Sequence, residues 1–204
     1  MRPELAGLEI ADPPERWAAL GFEVVDGHVD LGGVRVSLGV EGKGIVSWTL
    51  RGLDGAGDID GLLTTRQFGA NISTTDQNLD RTANSAKRDI DHVVVLSPDF
   101  DRTAAALDAA GLRLRRIRDA GGFRQGFRRL GPAILELVES PGAPAGPAAF
   151  WGLVVVVADL DALACTLGER LGAVRDAVQP GRRIATLRRS AGLGQALAFM
   201  DPER

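Results

Sequence analysis

The stretch from residue 89 to residue 139 decides the fold. It opens with an apolar, β-branched run of strand length, which reads Asp89-Ile90-Asp91-His92-Val93-Val94-Val95-Leu96. Pro98 ends this strand, Asp99 can cap a helix, and apolar residues then recur at helical spacing until Gly111. Glycine-containing turns separate three further strands, predicted for residues 112–118, 123–130 and 133–139. The stretch therefore predicts one complete strand–helix–three-strand (βαβββ) module.

The module is repeated further along the chain. Asp159-Leu160-Asp161 repeats Asp99-Phe100-Asp101 at an offset of 60 residues, and strands are predicted around it at 150–158, 173–178, 182–189 and 195–200. Residues 5–40 predict a shortened third copy. Residues 44–50 predict one extra strand, with no strands to complete a fourth copy. A single module cannot cover both faces of its own sheet, so the modules are expected to form pairs.

These repeats predict an α+β fold of paired βαβββ modules that form an incomplete barrel, with a shortened N-terminal module. The predicted modules divide the chain into three regions. Residues 1–63 hold the reduced module and the extra strand, residues 64–88 form a polar connection, and residues 89–204 hold the two complete modules. The connection lacks any hydrophobic period, which is typical of a linker, although a lid over a site is the alternative.

Composition limits the classes of function. The chain has 204 residues, a net charge of −3, 45% hydrophobic residues and one cysteine. It can bury a core, and it has no overall positive charge to attract nucleic acid. Its apolar runs are far shorter than the ~20 residues of a membrane span. With no apolar signal core near the N-terminus and no possible internal disulfide, we expect a soluble, cytoplasmic protein.

The residues quoted above resemble the vicinal oxygen chelate superfamily, which includes glyoxalase I, extradiol dioxygenases and bleomycin-binding proteins. The resemblance is carried by Ile90-Asp91-His92-Val93-Val94-Val95, by the aspartate-initiated helix, and by the closing strand that contains Leu135-Glu136-Leu137. It covers residues 89–201. It implies a cleft between two modules, often with a divalent metal ion bound by side chains from both.

The resemblance places His92 and Glu136 at metal-ligand positions, and also makes them candidate catalytic residues. The second module departs from the pattern, because Gly152 and Ala198 occupy the corresponding positions. The N-terminal copy offers Leu5 and Ser37 there. Catalytic metal sites usually use three protein ligands, so the expected cofactor is either none or a weakly held divalent metal. A hydrogen-bonded His92–Glu136 dyad that serves as a general base is the alternative.

Strand alternation predicts which other side chains line the cleft. The apolar lining is predicted to be Val94, Ile134, Val138, Val154, Val156 and Met200. Polar groups at strand edges near its mouth are predicted to be Arg124, Gln125, Gln179 and Arg182. Trp151 is a candidate for stacking on a ligand.

Three functions remain open at this point. The first is a protein that binds a small, largely apolar organic molecule without a complete metal site. The second is a metal-dependent lyase, isomerase or dioxygenase of the glyoxalase or extradiol dioxygenase type. The third is a dimerisation or scaffold module with a vestigial cleft. The expected partners are a small organic ligand and possibly a second copy of the chain, with no nucleic acid and no membrane.

Overall fold

The computed structural model describes residues 2–53, 57–67 and 88–203. Its strands form two open sheets. The first sheet contains β1 (Glu4–Ile10), β2 (His28–Leu31), β3 (Val34–Leu38), β4 (Ile45–Arg51), β5 (Gly57–Ile59) and β6 (Leu62–Gln67), and a short helix, α1 (Pro14–Ala18), follows β1. Among the described residues, no helix has both the length and the apolar character needed to cross a membrane.

The second sheet contains eight strands and carries two helices. The strands are β7 (Asp89–Ser97), β8 (Arg116–Asp119), β9 (Arg124–Leu130), β10 (Ala133–Glu139), β11 (Ala149–Val156), β12 (Arg175–Asp176), β13 (Arg183–Thr186) and β14 (Ala196–Met200). The helices are α2 (Phe100–Ala109) and α3 (Leu160–Leu167), and short 3-10 helices cover Gly168–Arg170 and Arg189–Ala191. The side chains of Asp99 and Asp159 cap the two helices by accepting hydrogen bonds from Arg102 N and Ala162 N, as their positions predict.

The two sheets share one topology. The strand order is β2-β3-β1-β4-β6-β5 in the first sheet, and the second contains the matching order β9-β10-β7-β11-β14-β13 with β8 and β12 added at its edges. In each sheet the two central strands are antiparallel, and each central strand pairs in parallel with the closing strand of its own module. The predicted α+β fold of paired βαβββ modules is confirmed.

The first sheet is more complete than the sequence indicated. Strands β5 and β6 follow β4 and extend the fourth module, which among the described residues has three strands and no helix. The prediction that this module has no further strands was wrong. The predicted boundary at residue 63 falls inside β6, which continues to Gln67. Most of the predicted polar connection, residues 68–87, lies outside the described residues.

Some predicted strands are shorter in the structure. Strand β8 begins at Arg116 instead of residue 112, because Leu112 N donates to Leu107 O and thereby closes the end of α2. Gly111, at φ 82°, makes this turn. Strand β12 has only two residues.

The core lies between the two sheets. Buried residues of both sheets form one continuous hydrophobic cluster with the helices. Phe22 stacks on Phe199 across the sheets with 6.1 Å between ring centroids, and Trp48 meets Phe150 edge-on at 5.2 Å. Helix α2 packs on the same side of the second sheet, since the ring of Phe100 approaches Gly126. The opposite face of the second sheet, which carries His92, is here named the cleft face.

Gly152 permits a close approach between β11 and β14. It pairs with Ala196, and a Cβ atom added to Gly152 would lie only 2.4 Å from the Ala196 carbonyl oxygen. That contact involves backbone, so it cannot be relieved by rotating a side chain. The glycine at this position is therefore required by the packing of the two strands.

Gly152→Ala is expected to lower the free energy of unfolding by about 1–3 kcal/mol, because the added methyl group forces the two strands apart. The matched control is Gly142→Ala, where nothing lies within 4 Å of the added Cβ. We expect this control to change stability by less than about 0.5 kcal/mol. Urea denaturation of both variants measures the difference, and equal stabilities would contradict the packing argument.

Candidate functional site

The cleft face is largely apolar. Residues that pair directly on neighbouring strands point to the same side of a sheet. His92 pairs with Ile134 on β10 and with Val154 on β11, so these three side chains share the face. The same pairing places there the other predicted lining residues, which are Val94, Val138, Val156 and Met200. The cleft face is thus an apolar surface with a few polar groups.

A β-bulge places Asp91 beside His92 on this face. In the pairing of β7 with β11, Val154 opposes His92 whereas the next residue, Val155, opposes Ile90. Asp91 is the extra residue of the bulge, so it does not follow the regular alternation of side chains. His92 Nδ1 lies 2.5 Å from Asp91 Oδ2. Asp91 could not be predicted as a site residue, because regular alternation would send the side chains of Asp91 and His92 to opposite faces of the sheet.

Arg182 completes this polar cluster. It follows the turn at Gly181, and its side chain is only 6% exposed. Its Nη2 lies 2.7 Å from Asp91 Oδ1, and its Nε donates to the backbone oxygen of Asp201 at 2.7 Å. Burial raises the pKa of Asp91, but His92 and then Arg182 lower it more strongly, so the pKa lies below its ordinary value. Asp91 is therefore a carboxylate held between two cationic or donor groups.

Glu136 belongs to a second polar group on the cleft face. Its Oε1 accepts a hydrogen bond from Gln125 Nε2 at 2.9 Å, and Gln125 Oε1 accepts one from Arg118 Nε at 2.7 Å. Burial raises the pKa of Glu136, against the opposing charges of His92 and Arg118. His92 and Glu136 thus bond to different partners, and the predicted hydrogen bond between them was wrong. The ring of Phe127 lies edge-on to the His92 ring, at 6.4 Å between centroids.

The cleft face opens at one end into a cavity of about 1730 Å³. Five predicted site residues line it, namely His92, Ile134, Val156, Gln179 and Arg182. Another wall comes from β2, from β3 and from the segment before β2, through residues such as Phe22, Asp26, His28 and Arg35. The sequence predicted no role for the first sheet in the site, because nothing in its residues indicates which face of the second sheet its loops approach.

Two predicted site residues lie elsewhere. Arg124 was predicted at the cleft mouth, but it lies on the helix side, where it pairs with Glu139 and Asp101 and stacks on the ring of Phe100. Its neighbour Gln125 is on the cleft face, and adjacent residues of a regular strand point in opposite directions. Trp151 is 49% exposed and lies outside the cavity lining.

The donor groups of the cleft face do not fit a metal centre. Within the described ranges, no three His, Cys, Asp or Glu side chains lie close enough to hold a metal ion. The second module contributes Gly152 and Ala198, which offer no side-chain donor, and the packing against Ala196 leaves no room for one at Gly152. The strand register in the first sheet places Gly7, and not Leu5, opposite Arg35 at the position equivalent to His92. Among the described residues, therefore, no further side chain completes a set of metal ligands with His92 and Glu136.

The strand order and the paired modules match the fold that the sequence resemblance implied. Among solved structures, 112 chains match this one. A mutant of 4-hydroxymandelate synthase from Streptomyces coelicolor aligns with a TM-score of 0.66 and 13% identity, over 98% of this chain and 92% of its own. Methylmalonyl-CoA epimerase from Mycobacterium tuberculosis aligns with a TM-score of 0.48 and 20% identity, over 61% of this chain and 95% of its own. No family model and no curated protein matches the sequence.

Glu136→Gln is expected to raise the melting temperature at pH 7. Burial raises the pKa of Glu136. The ionised carboxylate of Glu136 therefore makes the folded state less stable than a neutral side chain would. Glutamine keeps an acceptor for Gln125 and removes the charge. The advantage should shrink as the pH falls through the raised folded pKa, because the wild-type carboxyl then becomes neutral. Thermal unfolding between pH 4 and pH 8 measures this trend.

Glu139→Gln is the matched control. The hydrogen bonds from Arg124 lower the pKa of Glu139, so its charge favours folding above the unfolded pKa. This substitution should lower the melting temperature at pH 7, and its effect should fade as the pH falls. A Glu136→Gln protein that is less stable than wild type at pH 7 would contradict the account of Glu136.

Proposed function

We propose that this protein binds a small, largely apolar organic molecule on the cleft face without a complete metal site. The observation that carries the proposal is the composition of that face. An apolar strand surface, on which Ile134, Val154 and Val156 are partly exposed, borders the cluster of Asp91, His92 and Arg182. Ile134, Val156 and this cluster also line a cavity whose other walls carry charged residues. Binding sites for small molecules typically combine such an apolar lining with a few fixed polar groups.

The apolar residues would supply most of the binding free energy. Val154, Val156 and Ile134 are partly exposed on the cleft face, and covering them with a ligand removes apolar surface from water at about 25 cal/mol per Å². The polar groups would fix the orientation of the ligand. His92 is held by Asp91, and Glu136 is held by Gln125, so neither side chain has to be ordered when the ligand binds.

A metal-dependent lyase, isomerase or dioxygenase is the alternative. It would need donors beyond His92 and Glu136, supplied by water or by a chelating substrate. Three observations count against it. The second module has no donors at Gly152 or Ala198, the Nδ1 atom of His92 faces Asp91, and the guanidinium group of Arg182 brings a fixed positive charge next to that pair.

Ligand-induced stabilisation tests the proposal. We expect a subset of lipophilic aromatic compounds to raise the melting temperature, since a ligand at 100 times its Kd stabilises a protein by about 2.7 kcal/mol. His92→Gln should reduce this shift by half or more. Arg124→Gln should leave it unchanged, because Arg124 lies on the helix side. Each variant is compared with its own melting temperature without ligand.

Metal analysis of the purified protein separates the alternatives. We expect no stoichiometric iron, zinc, manganese or nickel. Stoichiometric metal that is lost in His92→Gln would contradict the proposal and favour the metal-dependent enzyme. A protein with no bound metal, no response to any compound and a stable dimer in size-exclusion chromatography would instead favour the scaffold module.

A further inference from the structure

Arg88 brings a half-buried positive charge to the cavity wall. It directly precedes β7, and its guanidinium carbon lies 4.3 Å from the centre of the Phe22 ring. Its Nη1 atom is buried, and within the described ranges that atom has no hydrogen-bond partner and Arg88 forms no ion pair. A guanidinium group stays protonated in a protein, and a buried charge without a partner is unfavourable. Arg88 therefore has an unused donor for an anion.

Two further arginines line the same cavity from other elements. Arg129 lies on β9, where it opposes Ile134, and Arg35 lies on β3. Both side chains are exposed, and neither forms an ion pair with any residue that the structure describes. Arg182 differs, because its Nη2 lies 2.7 Å from Asp91 Oδ1. Three of the four arginines in the described lining thus keep their charge available.

The carboxylates of the cavity leave Arg88 unpaired. Exposed charges interact weakly through water, and the exposed carboxylates of the lining are Glu23, Asp26, Asp30 and Glu203. The partly buried carboxylates, Asp89 and Asp91, have interactions of their own. Burial lowers the pKa of Arg88, and no carboxylate offsets this effect. The anion that would complete Arg88 is therefore not supplied by the described residues.

The register of the strands places Arg88 next to the apolar part of the cavity. Asp89, the first residue of β7, opposes Val156 on β11, so Arg88 lies at the end of the sheet that carries Val156. Val156 and Ile134 are partly exposed and line the cavity together with Arg88. The cavity thus offers an apolar surface with a cationic group at one end.

We infer that the cavity takes an amphiphilic organic acid, whose apolar body covers Ile134 and Val156 and whose carboxylate binds the guanidinium group of Arg88. The inference rests on the proposed function and specifies the class of small molecule. A carboxylate matches a guanidinium group because it can accept two parallel N–H hydrogen bonds. Arg129 and Arg35 add positive charge around the same opening.

The first test compares two probes that share one ring system and differ in charge, 2-naphthoate and 2-naphthamide. We expect the wild type to bind naphthoate about tenfold more tightly, the effect of one hydrogen bond to a charged group. In Arg88→Gln the ratio should fall below about threefold, through weaker binding of naphthoate alone. Isothermal titration calorimetry measures both affinities.

Two further variants control for changes of structure. Arg113→Gln removes an exposed arginine outside the cavity lining, so the tenfold ratio should persist. Arg88→Lys keeps the charge without the paired N–H groups, and we expect a ratio of about threefold or more. This variant also tests the inference if Arg88→Gln does not fold.

The second test uses pH to separate arginine from histidine as the group that binds the carboxylate. Arginine keeps its charge between pH 6 and pH 9, whereas a histidine ordinarily loses its charge in this range. The wild-type preference for naphthoate should therefore stay constant. A preference that disappears between pH 6 and pH 8 would assign the carboxylate to a histidine and overturn the inference.

The outcomes separate this inference from the proposed function. Equal binding of both probes by the wild type would overturn the anionic ligand class and leave the proposed function standing. An unchanged ratio in Arg88→Gln would show that Arg88 does not bind the carboxylate. Binding of neither probe would overturn the ligand class and would also count against the proposed function.

Discussion

The antiparallel pairing of β7 with β11 is the constraint on which the rest of the structure depends. It joins the two complete modules into one eight-stranded sheet, because each of these strands pairs on its other side with the closing strand of its own module. The pairing also contains the bulge at Asp91. A regular ladder would send Asp91 to the helix side, where its carboxylate would enter the hydrophobic core. The irregular ladder instead places it against His92, within reach of Arg182.

The duplication of the sheet explains why the two halves of the chain have different roles. Both sheets have the same strand order, so both could in principle form a cleft. The outward face of the first sheet carries polar side chains such as Ser47 and Glu9, which bond to each other at 2.7 Å. The outward face of the second carries valines around His92. The first sheet contributes its inner face to the shared core, and it contributes part of one cavity wall, which includes the charged residues Asp30 and Arg35.

Most of the fold could be predicted from the sequence, because strand-length apolar runs, aspartate caps and turn glycines repeat in the same order. Strands β5 and β6 could not be predicted, since β5 has only three residues and β6 contains two threonines. In the site, alternation correctly placed Val94, Ile134 and Glu136 on one face. It failed at Asp91, where a bulge interrupts the alternation. The assignment of both Arg124 and Gln125 to the cleft ignored alternation, and only Gln125 lies there.

The packing at Gly152 connects the fold to the small number of side-chain donors on the cleft face. A metal-ligating residue at position 152 would need space between β11 and β14. The Ala196 carbonyl oxygen lies only 2.4 Å from the point where the Cβ atom of such a residue would be. Ala198, on the same strand, is likewise a small buried residue. Restoring a donor at 152 would therefore require β14 to move, and β14 also carries Phe199, which stacks against the first sheet. Close packing in this half of the sheet thus excludes a side-chain donor at position 152, and the Asp91–His92–Arg182 cluster is a polar group of the cleft face that also lines the cavity.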